Sequence, residues 1–166
     1  MACAGATRGG MNSTSLHGAA AASLIGLGLA TLVVTAAPAQ AASKFQITKV
    51  RFDSAGKDLP VTNAKLNDEY VIVTNTDTVA HKIGGWRIRD VANHVYVFPS
   101  GATLGRKKSV RVRTGKGTDT ATNRYQSRNY YVWNNTSDTA WLRDAKGKGG
   151  GVCSWKTSDP GSTKVC

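Results

Sequence analysis

Residues 84–115 read GGWRIRDVANHVYVFPSGATLGRKKSVRVRTG, and this stretch decides the fold. Apolar and polar residues largely alternate in it, which is the period of a β-strand rather than that of a helix. The alternation predicts three strands, at Trp86–Arg89, His94–Phe98 and Ser109–Thr114. Turn-forming residues separate them, at Asp90–Asn93 and Pro99–Gly105. Three consecutive strands joined by turns predict a β-meander.

Arginines alternate with the apolar residues in two of these strands. The first strand carries Arg87 and Arg89, and the third carries Arg111 and Arg113. Successive side chains of a strand point to opposite faces, so each pair is expected to face outward with about 7 Å between its members. The turn before the third strand adds three more cations: Arg106, Lys107 and Lys108. Together these side chains predict a basic sheet face, and a solvated basic surface without a ligand is the alternative.

The rest of the chain continues the strand pattern. Further strands are predicted at Phe45–Phe52, Tyr70–Thr74, Tyr130–Trp133, Thr139–Asp144 and Val152–Trp155. The segments Asp53–Asn67 and Lys116–Ser127 are rich in turn-forming residues, so both are predicted to be loops. About seven or eight strands without a convincing helix predict an all-β domain built from two packed sheets.

Several short motifs follow one another along the chain: Glu69–Asn75, Gly85–Trp86 with Arg89–Asp90, Tyr96–Pro99, Val132–Asn135, Asp138–Ala140 and Leu142–Asp144. Their order resembles the lamin tail domain family, most closely its small secreted actinobacterial members. The resemblance covers about Phe45–Cys166. It implies an immunoglobulin-like β-sandwich with a binding or structural role, because the family has no known catalytic residues to carry over. The chain has Arg106-Lys107 where members often have Pro-Gly, and Thr136-Ser137 where they often have Asp-Gly.

The first 41 residues have the composition of a secretory signal peptide. They contain no acidic residue, an apolar run over Gly18–Ala37 and the small-residue sequence Ala39-Gln40-Ala41. Cleavage is expected after Ala41, leaving one domain over residues 42–166. An uncleaved membrane anchor is the alternative, since the run approaches the length of about 20 residues that spans a bilayer. After cleavage the chain has no predicted membrane span.

The charge balance is strongly basic. The chain has 22 Lys and Arg against 10 Asp and Glu, and the net charge is +12. Loss of residues 1–41 would lower it only to +11, because Arg8 is the one Lys or Arg in that segment. Such a surface attracts polyanions by long-range electrostatic steering.

The mature chain would hold two cysteines, Cys153 and Cys166, in an oxidising compartment. An even pair in a secreted protein predicts one disulfide bond that closes the C-terminal segment. The pair lacks a neighbouring histidine, so a zinc site is not expected. Neither a metal nor a cofactor is predicted, although a calcium site built from turn aspartates is an alternative.

Catalytic chemistry finds little support in the sequence. His81 and His94 are the only histidines after Ala41, and their spacing forms no recognisable nucleophile and base arrangement. The aspartates fall beside turns, where short acidic side chains bind the local backbone. The sequence therefore predicts a protein that is not an enzyme, with a nuclease as the third-ranked hypothesis.

Some aromatic residues are candidates for ligand contact. Trp86 is predicted to lie in the core. Trp141 is expected to face outward beside Arg143 if Ala140 and Leu142 face inward, and Tyr125 lies in the basic and aromatic segment at 124–133. For Tyr131 and Trp133, within the same segment, burial in the core is favoured over ligand contact.

The function predicted from the sequence is a secreted, non-catalytic binding module. Its partner is expected to be a polyanion, either extracellular nucleic acid or an anionic cell-wall polymer. The seven basic residues named above would bind it, and Tyr125 or Trp141 would add stacking. The alternative is a structural or protein-interaction module of the cell surface, with incidental basicity and a protein partner.

Overall fold

A computed structural model describes residues 43–166. The predicted signal peptide, residues 1–41, lies outside the described residues. The described part begins with strands β1 (Phe45–Arg51), β2 (Tyr70–Asn75), β3 (His81–Lys82), β4 (Arg87–Arg89), β5 (Val95–Val97) and β6 (Thr103–Leu104). It continues with β7 (Ser109–Arg113), β8 (Asn123–Tyr125), β9 (Asp138–Arg143), β10 (Val152–Trp155) and β11 (Thr163–Val165). One helix, α1 (Asn63–Asp68), lies between β1 and β2.

Two sheets form the body of the fold. The five-stranded sheet has the order β11-β1-β2-β7-β8, and the four-stranded sheet has the order β10-β9-β4-β5. Strands β3 and β6 form a separate antiparallel pair. Apart from the parallel pair of β7 and β8, neighbouring strands in the two sheets run antiparallel. The predicted immunoglobulin-like β-sandwich is confirmed.

The inner faces of the two sheets build one core. Strand β2 contributes Val71 and Val73, and its neighbour β7 contributes Val110 and Val112. From the four-stranded sheet, Ile88 is buried with residues of β9 and β10. Burying an aliphatic side chain of this size contributes about 1.5–3 kcal/mol. Burial of these side chains therefore decides which face of each strand points inward, and the residues that alternate with them point outward.

The predicted β-meander is wrong. Strands β4 and β5 do form a hairpin, but β7 lies in the other sheet between β2 and β8. The physical reason is the length of the available ladder. Strand β7 pairs with β2 over five residues, from Tyr70 opposite Arg113 to Thr74 opposite Ser109. Strand β5 has only three residues and could not offer such a ladder. Alternation specifies the buried face of a strand but not its partner.

The chain departs from the sequence prediction in four further segments. One is the predicted turn 99–105, where strand β6 forms and pairs with β3. Helix α1 lies in the predicted loop 53–67, capped by Thr62, whose hydroxyl accepts a hydrogen bond from the Lys65 N–H. Strand β8 lies in the predicted loop 116–127. Tyr130–Trp133 is not a strand, because the N–H groups of Val132 and Trp133 donate to the Glu69 carboxylate instead of to a neighbouring strand.

The predicted disulfide bond between Cys153 and Cys166 is present. Cys153 lies on β10, an edge strand of the four-stranded sheet, and Cys166 follows β11, an edge strand of the five-stranded sheet. The backbone N–H of Cys166 also donates to the Thr48 carbonyl at 3.1 Å. The bond therefore joins the two sheets along one side of the sandwich.

Within residues 43–166, no helix has the length and apolar character needed to cross a membrane.

Candidate functional site

The outer face of the four-stranded sheet carries a cleft lined by arginines. Ile88, Ala140 and Leu142 point into the core, so the residues that alternate with them point outward. Strand β4 presents Arg87 and Arg89 in this way, and β9 presents Trp141 and Arg143. The outward orientation predicted for Trp141 is the one observed. We refer to these four side chains as the arginine cleft.

Strand register fixes how the four side chains meet. Arg87 lies opposite Arg143 across the β4–β9 ladder, and Arg89 lies opposite Trp141. The guanidinium carbon of Arg89 is 5.2 Å from the centroid of the Trp141 ring. This distance is within the range of a cation–π contact, which holds the charged group over the ring.

The cleft has a volume of about 560 Å³. Its lining comprises Arg87, Arg89, Asn93, Val95, Val97, Trp141, Arg143, Asp144 and Gly147. Val95 and Val97 stand across the β4–β5 ladder from Arg89 and Arg87, and they give the cleft an apolar wall. A volume of this order is typical of sites that hold a small molecule or one segment of a polymer.

Among the described residues, the cleft arginines form no ion pair, although the Asp144 carboxylate lines the same cleft. In the part of the chain that the structure describes, no carboxylate forms an ion pair with Arg87, Arg89 or Arg143. Arg143 donates to the carbonyls of Leu142 and Gly149, which orient its guanidinium without cancelling its charge. Like charges placed directly opposite on neighbouring strands destabilise a sheet. An anion bound in the cleft would remove this repulsion.

One side of the cleft is closed by the hairpin between β9 and β10. The Asp144 carboxylate accepts hydrogen bonds from the N–H groups of Lys146 and Lys148, each at 2.8 Å, and is therefore used by its own turn. Gly150 has φ 82°, and a Cβ atom there would lie 1.9 Å from the Leu142 carbonyl oxygen. Glycine is therefore needed where the hairpin backbone passes so close to β9. The side chains of Lys146 and Lys148 in this hairpin are exposed.

The opposite side of the cleft is the turn between β4 and β5. The buried Asp90 carboxylate accepts a 2.6 Å hydrogen bond from the His94 N–H and lies 2.6 Å from His94 Nδ1. Asn93 occupies a left-handed conformation with φ 68°, as asparagine often does in turns. Asp138 accepts a 3.2 Å hydrogen bond from the Val91 N–H in the same turn. Two carboxylates thus hold the loop that positions Asn93 in the cleft.

The other predicted arginines lie on the opposite side of the sandwich. Arg111 and Arg113 project from the outer face of the five-stranded sheet, next to Tyr70. Their guanidinium carbons are 4.4 Å and 6.0 Å from the centroid of the Tyr70 ring. The four arginines expected to share one basic sheet face are therefore divided between two sheets. We refer to Tyr70, Arg111 and Arg113 as the second arginine face.

The basic turn before β7, which contains Arg106, Lys107 and Lys108, is exposed, but one of its cations already binds a backbone carbonyl. The Lys108 N–H donates to the Gly105 carbonyl at 3.1 Å, closing a β-turn around Arg106 and Lys107. Lys107 has φ 53°, and its ammonium group donates to the Thr76 carbonyl. The structure thus places these three cations at the start of β7 and not in the arginine cleft.

Tyr125 lies on the edge strand β8 of the five-stranded sheet, away from Trp141. A Cβ atom added at Gly117 would come within 2.4 Å of the Tyr125 ring, so the ring packs against the Gly117 backbone.

The predicted burial of Trp133 is confirmed, while Tyr131 remains half-buried and its hydroxyl lies 3.2 Å from that of Ser54. Trp86 is half-buried at the border of the core, with its ring centroid 4.9 Å from that of Phe45. Its predicted core position is therefore only partly correct.

Reasoning from the sequence missed part of the cleft. Arg143 alternates with Trp141, so its orientation could be read from the sequence, but it was not included among the expected binding residues. Val95, Val97 and Gly147 reach the cleft through the pairing of β4 with β5 and the closure of a hairpin. No local pattern encodes these contacts.

Acidic groups offer little alternative chemistry. Burial raises the pKa of Glu69 to about 7, against the lowering effect of the hydrogen bonds that it accepts. Its carboxylate is completely buried and contacts backbone N–H groups, which makes it a structural group. Among the described residues, no group of three or more His, Cys, Asp or Glu side chains is arranged to hold a metal ion.

The architecture defines the class of the protein as an immunoglobulin-like β-sandwich. A family model described as Lamin Tail Domain matches residues 38–157, and the chain therefore belongs to the lamin tail domain family. The domains of this family are non-enzymatic interaction modules. A search of the curated proteins found no match.

Proposed function

We propose that this protein is a secreted, non-catalytic module that binds a phosphodiester polyanion, either extracellular nucleic acid or an anionic cell-wall polymer. The observation that carries the proposal is the arginine cleft. Three arginines without a carboxylate partner among the described residues line one concavity with a tryptophan. The proposal thus moves the main site to Arg87, Arg89, Trp141 and Arg143.

The chemistry of these side chains suits a phosphodiester chain. A guanidinium donates two parallel hydrogen bonds to a phosphate, and its charge persists at every physiological pH. Arg87 and Arg89 alternate on one strand, so their heads can reach successive anionic groups about 7 Å apart. Trp141 and the wall formed by Val95 and Val97 supply apolar contact for a sugar or a base.

Secretion is supported by features outside the cleft. The N-terminal sequence has the composition of a signal peptide. The Cys153–Cys166 bond fits an oxidising compartment. The net charge, +12 for the full chain and +11 after loss of residues 1–41 because Arg8 is lost, also favours encounter with polyanions outside the cell.

The test is a titration of the oxidised protein with fluorescent single-stranded and double-stranded DNA, and with poly(glycerol phosphate), across a salt series. We expect binding that weakens steeply between about 50 and 200 mM salt, because each phosphate contact releases counterions. The triple variant Arg87→Gln, Arg89→Gln and Arg143→Gln should bind more weakly and show a shallower salt slope. Absence of binding to every probe at low salt would contradict the proposal.

A matched control separates the cleft from net charge. Lys44, Lys57 and Lys156 are exposed and line neither arginine surface. Replacing all three with glutamine removes the same charge as the cleft variant. We expect this control to lose much less affinity than the cleft variant, and equal losses would show that only net charge matters.

A protein partner is the second candidate function. Two exposed valines favour it: Val91 in the turn at the side of the cleft is 64% exposed, and Val97 in the cleft wall is 48% exposed. Such a partner should still bind an Arg111→Glu and Arg113→Glu variant. Its recovery from secreted material by the wild type, but not by a Val91→Ser and Val97→Ser variant, would support this function.

A further inference from the structure

Both outer faces of the sandwich carry arginines that form no ion pair with a carboxylate of the described residues. The arginine cleft lies on the four-stranded sheet and the second arginine face lies on the five-stranded sheet. We propose that one molecule of this protein bridges two phosphodiester chains, holding one on each face. This inference rests on the proposed function, to which it adds a second binding surface and a cross-linking activity.

The arginine cleft and the second arginine face lie on opposite sides of the sandwich, so they do not form one continuous site for a short ligand. Packed sheets lie about 10 Å apart, and the outward side chains extend away from each other on opposite sides. The space between the sheets is filled by buried side chains that include Val71, Val112, Ile88 and Leu142. A short polymer segment lying on one outer face therefore cannot contact the other.

The second arginine face has the features of a binding surface. The Tyr70 ring packs beneath the guanidinium groups of Arg111 and Arg113, which limits their mobility. Arg113 also donates from Nε to Asn123 Oδ1 at 3.0 Å and from Nη1 to the Asn67 carbonyl. Among residues 43–166, neither arginine forms an ion pair with a carboxylate.

Arg111 differs from Arg113, because its side chain donates no hydrogen bond to any residue between 43 and 166. Its Nε atom is buried and has no hydrogen-bond partner in the described part of the chain. It lines a shallow depression of about 250 Å³ with Ile72, Ser109, Thr122 and Asn123. The hydroxyl and amide groups of this depression can donate to an anionic oxygen beside the guanidinium. Because Nε is closed off from solvent, a phosphate oxygen would reach this donor only if the guanidinium turned outward.

The test measures recruitment of one oligonucleotide by another. A short single-stranded DNA is fixed to a surface, oxidised protein is added, and capture of a second, fluorescent and non-complementary oligonucleotide is followed. We expect capture to rise and then fall as protein increases, because excess protein loads each oligonucleotide separately.

Two variants distinguish bridging from binding. The cleft variant, Arg87→Gln with Arg89→Gln and Arg143→Gln, retains the second face. The variant Arg111→Gln with Arg113→Gln retains the cleft. Each variant should still bind the fixed oligonucleotide, but it should capture at least about tenfold less of the second oligonucleotide. A mixture of the two variants should not restore capture. The Lys44, Lys57 and Lys156 control should bridge like the wild type.

The outcomes separate this inference from the proposed function. If the wild type binds the fixed oligonucleotide but captures no second strand, bridging is wrong and the proposed function stands. If the protein binds no probe, both are wrong. If either single-face variant captures the second strand as well as the wild type, self-association explains the effect and bridging by one molecule is overturned.

The same assay with poly(glycerol phosphate) distinguishes the source of the ligand. Bridging of DNA alone assigns nucleic acid, and bridging of the glycerol phosphate polymer alone assigns a wall polymer. Bridging of both assigns the shared phosphodiester backbone. Bridging of neither overturns the proposal.

Discussion

The Glu69 carboxylate binds the backbone of Trp133, whose N–H donates to Oε1 at 2.8 Å. The second carboxylate oxygen accepts a 3.1 Å hydrogen bond from the Val132 N–H. Glu69 is the only glutamate of the chain, and it is completely buried at the start of β2. One side chain therefore anchors a segment that no strand pairs with.

The protonation of Glu69 predicts how stability depends on pH. Burial raises its pKa from 4.5 to about 7, so the folded protein holds this proton more tightly than the unfolded chain does. Its stabilising contribution is full below about pH 4.5 and is lost as pH rises to about 7, with a magnitude of about 3 kcal/mol. Urea unfolding between pH 4.5 and 8 should show this decline.

The control for this prediction is Glu69→Gln, which does not titrate. Its amide has an NH2 group where the neutral acid has an O–H oxygen, and NH2 cannot accept from the second backbone N–H, so we expect a loss of about 1–3 kcal/mol at low pH. The decline between pH 4.5 and 7 should be smaller than in the wild type by the Glu69 contribution. Equal declines in the two proteins would assign the pH dependence to other groups.

The opposed pair of Arg87 and Arg143 predicts a trade between stability and binding. Replacing Arg87 with glutamine removes a like-charge repulsion across the ladder and should stabilise the fold by about 0.5 kcal/mol. Thermal unfolding should show an increase in Tm of about 2 °C at low salt, with a smaller gain at high salt. DNA affinity should fall in the same variant. A Lys57→Gln control should change neither stability nor DNA affinity measurably. A lower stability of Arg87→Gln than of the wild type would show that repulsion between Arg87 and Arg143 does not destabilise the fold.

The left-handed conformation of Lys107 predicts a stabilising substitution. A non-glycine residue with φ 53° carries a penalty of about 1–2 kcal/mol, which glycine does not. Part of this gain is offset by the greater freedom of glycine in the unfolded chain, so Lys107→Gly should stabilise by about 1 kcal/mol or less. Lys107→Ala removes the same charge and hydrogen bond but keeps the strain. Chemical denaturation of both variants should show a gain for glycine relative to alanine.

The disulfide bond predicts a dependence of stability on redox state. The two cysteines are separated by 13 positions, and closing a loop of this size contributes about 3 kcal/mol. Reduction of the wild type and the substitution Cys166→Ser should therefore lower stability by similar amounts, measured by urea unfolding. Addition of reductant to Cys166→Ser should have no further effect. An additional loss there would show that the reductant acts elsewhere.

The sequence predicted the structural features that depend on residues close together in the chain. Alternation placed Val110 and Val112 inside and Arg111 outside, because the two-residue period is a local property of strands. It put Leu142 and Trp141 on opposite faces without deciding which face was buried, and the structure has Leu142 inside. The choice of partner strand depends on residues far apart in the chain. This is why β7 was expected beside β5 and why the arginines were expected on one face.

The candidate site was partly predictable for the same reason. Arg87, Arg89 and Trp141 were predicted, but their meeting in one cleft depends on the β4–β9 register. The turn of Asp90 and the hairpin that brings Gly147 to the rim are likewise set by tertiary contacts. The role of Glu69 could not be foreseen, since its hydrogen-bond donors lie more than sixty positions later.

The Cys153–Cys166 bond acquires a mechanical meaning for a molecule that holds a chain on each face. Tension between the two chains would pull the sheets apart, a direction that is resisted by side-chain packing and by the backbone loops that join the sheets. The bond joins an edge strand of one sheet to the segment following an edge strand of the other, and so adds a second covalent path beside the loop at residues 156–162. Oxidation would therefore strengthen the mechanical link between the two bound chains, and reduction would leave that side of the sandwich joined only by the loop at residues 156–162.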